Sequence, residues 1–245
     1  MRAVWKAPVL WVGVLFAFLL FEMRVLRPIF AWAFPGVRPE IFERASFIEL
    51  FVSQFELVVA ASAAATVVGV LLAIFVTRPM GRDFRTIANV LATVGQTFPP
   101  VAVLALAVPA LGFGPLPTIV ALFLYGLLPI IENAITGLEG VSPALREAAS
   151  GMGLSAWQAL RDVELPLAAP LIFAGIRVSV TIGIGTATIG STVGALTFGT
   201  PIFDGLAGNK IPYVLQGAVL VALFAILTDL LFGLLARWLQ PPSFK

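Results

Sequence analysis

The sequence predicts an all-α integral membrane protein of about six transmembrane helices, and three observations predict it. Of the 245 residues, 60% are hydrophobic and 11% charged, with a mean hydropathy of +1.03, far from the balance of a water-soluble domain. The apolar residues gather in runs of about twenty, enough for a helix to cross a hydrocarbon core of ~30 Å. One such run sets Ala61, Ala65 and Gly69 four residues apart, the spacing that lets membrane helices approach closely. At this length five or six spans fill one domain, residues 1–245, and leave no room for a soluble catalytic one.

The same composition excludes several functions. A net charge of +2 is too small to argue for nucleic acid, and the Lys and Arg residues serve better as topology markers. Cysteine and histidine are both absent, which removes disulfides, thiolate chemistry, the commonest general base and the usual metal ligands. No metal, cofactor or catalytic residue is expected. A membrane-embedded hydrolase is the distant alternative, with Glu132 and Asp229 as its only candidate carboxylates and no nucleophile pattern beside them.

In chain order, a short basic head (Arg2, Lys6) precedes an apolar run over 7–21, lean for a span unless Val4 and Trp5 are counted, read as an uncleaved first helix. Residues 22–50, with Pro28, Pro35 and Pro39, read as a surface loop. The second span is expected over 55–76, followed by a turn with Arg78, Arg82 and Arg85. The third, 86–111, carries Gln96-Thr97-Phe98-Pro99-Pro100 near its middle. The fourth runs over 118–138 with Pro129 inside it, the fifth over 167–196, and the last over 213–239; residues 197–212 read as a polar connection. Six spans put both termini on one side. Placing them in the cytoplasm gives nine Lys or Arg there (Arg2, Lys6, Arg78, Arg82, Arg85, Arg146, Arg161, Arg237, Lys245) against five outside (Arg24, Arg27, Arg38, Arg44, Lys210), as the positive-inside rule prefers.

One long polar stretch, Ser142 to Pro170, interrupts the second half. Ser142-Pro143 is a helix start, because the serine oxygen can accept from a free amide and a proline there sacrifices no hydrogen bond. Leu145, Ala148, Ala149 and Met152 fall on one face. Gly151 and Gly153 are expected to stop that helix, Ser155 and Gln158 have the spacing of a capping box that starts a second, and Leu165-Pro166 is expected to close it. Two short helices with an apolar stripe and a charged flank predict a docking surface for a soluble partner.

Inside the membrane, consecutive prolines at 99 and 100 free carbonyls in mid-span, where lipid cannot satisfy them. Thr186, Gly190 and Gly194 are expected to share one side of the fifth span. Gln96, Thr97, Phe98, Pro99 and Pro100, with Thr186, Thr188 and Ser191, are therefore candidates either for a translocation path or for close helix packing. Arg177, Asp229 and Glu132 lie at similar depth in three spans. Because an isolated charge at a helix centre costs ~2.5–3.5 kcal/mol even on lenient scales, Arg177 is expected to be a buried charge paired with Asp229 or, failing that, with Glu132.

Glu147-Ala148-Ala149, Gly153, Val163, Leu165 and Pro166 match the Glu-Ala-Ala-x3-Gly-x9-Ile-x-Leu-Pro pattern, with Val163 in place of isoleucine. On these residues the chain resembles the permease subunits of bacterial ABC importers. Val-Gly-Gln-Thr-Phe-Pro-Pro at 94–100 and Ile-Gly-Thr-Ala-Thr-Ile-Gly-Ser-Thr-Val-Gly-Ala at 184–195 resemble the osmoprotectant group of these, importers of glycine betaine, choline and carnitine. The resemblance covers most of 50–240. It implies the type I permease fold in the bacterial cytoplasmic membrane, with an ATPase-coupling loop at about 139–166. It further implies an ABC ATPase subunit, a second copy or a paralogous permease, and an extracytoplasmic solute-binding protein as partners. No Gly-x4-Gly-Lys-Ser/Thr occurs in the chain, so ATP is expected on the partner subunit. The same machinery importing an amino acid or another small solute is the alternative.

Overall fold

The computed structural model describes residues 6–239, leaving aside the side chains at 6, 7, 91, 92, 95, 238 and 239. Arg2, Val4, Trp5 and Lys245, used above as span or topology markers, lie outside the described residues. The fold is all-helical, with no strand among the described residues. Its helices are α1 (Lys6–Glu22), α2 (Arg27–Ala33), α3 (Phe47–Val76), α4 (Arg85–Thr97), α5 (Pro100–Leu111), α6 (Pro115–Glu139), α7 (Pro143–Gly151), α8 (Ala156–Ala159), α9 (Leu165–Ala187), α10 (Gly199–Ala207) and α11 (Ile211–Leu239). Among the described residues, five stretches are long and apolar enough to cross a membrane: Pro8–Ala33, Phe47–Val76, Pro115–Glu139, Ala156–Val193 and Ile211–Arg237.

The expected third span is not one helix. Phe98 and Pro99 are extended, with ψ of 134° and 137°, because neither proline can donate to the turn below it; α4 ends before them and α5 starts at Pro100. Residues 22–50 are not simply a loop either. A 3-10 turn, Met23–Leu26, leads into α2, where Pro28 occupies the first turn and needs no donor. α3 begins at Phe47 rather than 55, since the Ser46 hydroxyl accepts from the Glu49 amide at 3.1 Å and caps it. The expected fifth span stops being α-helical at Ala187. The hydroxyls of Thr188, Ser191 and Thr192 each donate to the carbonyl three residues back, at 2.7–2.9 Å. This tightens 188–193 into a 3-10 turn that Gly194, at φ +92°, terminates. Thr186, Gly190 and Gly194 thus do not continue one helical side, and the expected polar connection after them contains α10.

Two compact units divide the chain, one of residues up to Ala61 with Pro99–Leu122 and Thr181–Phe232, the other of Ser62–Phe98, Phe123–Val180 and residues from Gly233 on. The first is centred on aromatic rings: Phe16 and Phe51 meet edge to face at 5.4 Å, and Phe224 lies 5.2 Å from Phe51 and 5.9 Å from Phe16. Its two polar connections are joined to each other. Arg44 pairs with Asp204 at 2.6 Å, and Gln216 of α11, 1% exposed, donates to the Glu40 carbonyl at 2.8 Å and accepts from the Phe42 amide at 3.0 Å. Gln54 of α3, wholly buried, does the same for the irregular turn after α9, donating to Ile184 O at 2.9 Å and accepting from Phe198 N at 2.8 Å. Glu40 O, Phe42 N and Phe198 N lie outside the helix ladders, and these amides give them the partners the local backbone lacks.

The second unit is built around α6. Ile131, Ala134, Ile135 and Leu138 pack with Ala73 and Val76 of α3, Leu160, and Ala168 of α9. Close approach comes from glycines: a Cβ at Gly69 would stand 2.8 Å from an Ile130 methyl, and one at Gly175 would stand 2.7 Å from the Pro129 carbonyl. The stripe read from Ala61, Ala65 and Gly69 is buried at both alanines.

Gln54→Leu should leave the Phe198 N–H unsatisfied in an apolar interior and lower stability by about 1–3 kcal/mol. Thermal unfolding in detergent should report a clear drop in midpoint, whereas Val59→Leu, at a 48% exposed position of the same helix, should leave it unchanged.

Candidate functional site

Between α6 and α9 the backbone follows the local chemistry. Ser142 accepts from the Leu145 amide at 3.4 Å and Pro143 is the first residue of α7. At the other end Leu154 N donates to Ala149 O at 3.1 Å and Gly153 N to Ser150 O at 2.9 Å, the paired bonds of a Schellman turn, with Gly153 at φ +79° in the left-handed position that turn requires. Ser155 and Gln158 form a reciprocal capping box at 2.8 and 3.3 Å. Ala149 is buried. Glu147 and Ala148 are exposed, and Leu145, Met152 and Trp157 expose 46, 73 and 66% of their surfaces. Leu165-Pro166 does not close a helix. α8 runs through a π turn, Leu160–Glu164, directly into α9; the widened turn lies just before Pro166, which has no N–H to give to the residues below it. Val163 and Leu165 are half-buried and Pro166 exposed.

The π turn points Leu160 and Glu164 inward. Glu164, 4% exposed, receives both guanidinium nitrogens of Arg78, one at 3.2 Å and one closer. Arg146 Nε stands 3.8 Å from the same carboxylate, while its Nη2 donates to Leu138 O at 2.6 Å. One buried carboxylate thus gathers the turn after α3, the last turn of α6, α7 and the entry to α9. Sequence reasoning used Arg78 and Arg146 only as charge markers and missed Glu164; an acid set between Val163 and Leu165-Pro166 was the available signal.

The broken α4–α5 segment has its own account. Pro129 interrupts α6 and has no amide for the carbonyl four residues earlier, that of Tyr125. Gln96 Nε2 donates to that carbonyl at 2.8 Å. At the far end of the same pair of helices Arg85 meets Glu139 at 2.6 Å. Along α4, Asn89, Thr93 and Thr97 follow at four-residue spacing. Arg85, Thr86, Asn89, Val90, Thr93 and Val94 line a cleft of roughly 320 Å³, and Asn89 Oδ1 has no hydrogen-bond partner among the described residues. Thr97, Phe98 and Pro99 are exposed and Pro100 is half-buried.

The proposed path residues divide between the two units. Gln96, Thr97 and Phe98 belong to the unit built on α6. Pro99, Pro100, Thr186, Thr188 and Ser191 belong to the aromatic-centred unit. There Gly190 packs directly on Thr118 and Gly199 on the Thr188 carbonyl, and the Gly114 amide donates to Val193 O at 2.7 Å. Thr186, Thr188 and Ser191 are half-buried. Arg177 and Asp229 are half-buried on α9 and α11. The Arg177 guanidinium faces α11 at Gly233, 3.9 Å from where a Cβ would stand. Glu132 is not a buried charge: the buried side of α6 is taken by Ile131, Ala134 and Ile135, and the carboxylate is exposed.

Residues 65–241 match the family described as the binding-protein-dependent transport system inner membrane component. The chain is 44% identical over 177 residues to an osmoprotectant import permease protein of Salmonella typhimurium strain LT2, covering 72% of this chain and 75% of that one. It is 41% identical over 184 residues to a choline transport system permease protein of Bacillus subtilis, covering 74% and 84%. Among solved structures, the MetNI methionine ABC transporter in an inward-facing conformation superposes with a TM-score of 0.70 at 20% identity, over 79% of this chain and 96% of that one, which establishes the shared fold.

Proposed function

The chain belongs to the binding-protein-dependent transport system inner membrane components, and from that premise we propose that it is the membrane-spanning permease of an ATP-driven importer for osmoprotectants of the glycine betaine, choline and carnitine kind. As a family member it is a multi-span transport subunit rather than an enzyme, and hydrolysis of ATP belongs to a separate subunit. The observation that carries the solute class is identity of 41–44% to osmoprotectant and choline permeases over most of their length. An ATPase docking on α7–α8 is supported by the uncovered Leu145, Met152 and Trp157 beside the glycine turn, since exposed apolar clusters of this kind mark interaction surfaces. This reading goes with cytoplasmic termini and with a solute-binding protein on the other side of the membrane. A second copy or a paralogous permease completes the membrane part.

Reconstituted with its ATPase and binding protein, the permease should take up radiolabelled glycine betaine, choline or carnitine in an ATP-dependent way. Uptake of methionine but none of these would overturn the solute class and favour the amino-acid alternative. Gly153→Asp, which forces a side chain into the left-handed turn, and Glu147→Arg should leave the chain inserted but lower ATPase co-purification and uptake at least tenfold. Normal values in both would remove the docking assignment.

The transport path is assigned to the break at Gln96 to Pro100 and to the turn at Thr186 to Ser191, because irregular backbone at membrane depth belongs beside protein or water, never lipid. The open cleft and threonine row of α4 support this. Single cysteines at Gln96, Thr97, Thr188 and Ser191, in a chain with none of its own, should react with a small water-soluble thiol reagent in at least one state of the ATP cycle. Uniform protection with and without ATP would leave packing as their role.

Arg177 is assigned Asp229 as its partner. The guanidinium lies against α11 at Gly233, and Asp229, four residues earlier, is on the same helical face. Arg177→Leu and Asp229→Leu should each lower expression or uptake severalfold, and the double variant should recover part of the loss because no uncompensated charge is left behind. A double variant as poor as the two losses combined would exclude the pair.

A further inference from the structure

We infer that Glu164 is the positioning residue that transmits displacement of the docking helices to the membrane helices. The inference rests on the docking reading of α7–α8 and adds to it the part of the chain that moves with them. Apart from Arg146, what α7 and the π turn after α8 bury is small or apolar, Ala149 and Leu160, with Glu164 the exception. Such contacts resist pulling apart but allow sliding, because dispersion is not directional. The Glu164 carboxylate is directional. It is almost wholly buried, it is gripped in two-pronged fashion by Arg78 at the end of α3, and it lies beside Arg146, which is itself part of α7 and bonded to the last turn of α6 at Leu138 O.

A push on α7 therefore reaches α6 through Arg146 and α9 and α3 through Glu164. The π turn that carries Glu164 lies within the helical stretch Ala156–Val193, so the carboxylate is fixed to a helix long and apolar enough to cross the membrane, with no loop in between. Two guanidinium groups share this one carboxylate, and Arg78 Nε has no hydrogen-bond partner among the described residues, so no second acceptor holds Arg78 when Glu164 is neutralised. Bidentate arginine–carboxylate pairs fix geometry as well as charge, which is what transmission of a small movement needs.

The test compares Glu164→Gln and the double variant Arg78→Gln/Glu164→Gln with wild type, each reconstituted with the ATPase and the binding protein and supplied with glycine betaine. ATPase co-purification, hydrolysis without binding protein, hydrolysis with it, uptake and thermal midpoint are read in parallel. Glu164→Gln should keep co-purification and unstimulated hydrolysis within about twofold of wild type and lose tenfold or more in uptake per ATP hydrolysed. The double variant removes the uncompensated arginine along with the acid. It should regain thermal midpoint yet stay uncoupled, and it supplies the readout if the single variant does not accumulate. A merely structural pair predicts the opposite for the double variant, recovery of uptake together with stability. That result, or uptake per ATP within twofold of wild type in both variants, would overturn the assignment. Loss of ATPase co-purification in Glu164→Gln would overturn it too, by making Glu164 part of the docking surface. Failure of the docking reading itself shows separately, as normal co-purification in Gly153→Asp and Glu147→Arg.

Discussion

Peptide groups inside a membrane have no water to turn to, and this fold is organised by where its chain breaks that rule and what repairs it. Pro129 withholds a donor from the Tyr125 carbonyl, and the side-chain amide of Gln96 supplies one from the neighbouring helix. Gln54 and Gln216 repair the turn after α9 and the segment before α3 in the same way. Glutamine suits this work because its amide offers donor and acceptor together on a flexible stem, without the cost of burying a charge. The repairs fix position as well as energy. Gln96 ties the end of α4 to α6 beside the break in the third apolar segment, and Thr97 to Pro99 are left exposed there.

A second constraint operates where the chain leaves its spans. Helices α7 and α8 are made of short local signals, a serine cap, a glycine turn and a capping box, each contributing about 1 kcal/mol, and none would orient the pair on the long helices. Orientation comes from charge. Glu164 collects Arg78 and Arg146, and Arg146 completes the end of α6. The outer surface, with Leu145, Met152 and Trp157, is left apolar and open, while the inner one is held by directional bonds. The proposed docking of a separate ATPase subunit would call for both: a face that can be gripped and a back that does not slip.

Some of the candidate site was legible residue by residue. Ser142, Gly153, Ser155 and Gln158 act within five positions of themselves, and each does in the structure what its type and spacing foretold. Prolines are less legible. Pro28 suggests a loop and stands in the first turn of a helix, Pro166 suggests a helix end and lies just beyond a π turn inside one, and Pro99-Pro100 suggests a defect within a span and divides it. The local effect of proline is fixed, but whether the chain resumes as a helix depends on what fills the missing hydrogen bond, and that partner is distant in sequence. The threonine and glycine run after Ile184 was read as one helical face for a related reason: hydroxyls that bond carbonyls three residues back tighten the helix, and no hydrophobic period records it.

What the sequence by itself determined was the class: apolar runs of membrane length, no histidine or cysteine, a docking motif at fixed spacing, and with them an all-helical permease. These are properties of one residue's neighbours along the chain or of composition, so they survive without a fold. What only the tertiary structure decided was which polar groups meet. Gln54 reaches residues 184 and 198, Gln216 reaches 40 and 42, and Glu164 reaches Arg78 across eighty-six positions. The exposed setting of Glu132 was decided the same way, by which side of α6 the glycines of its neighbours allowed to close. The physical reason is common to all of them. A buried polar group must find a partner, but the sequence states only the need, and the packing of the helices chooses which group answers it.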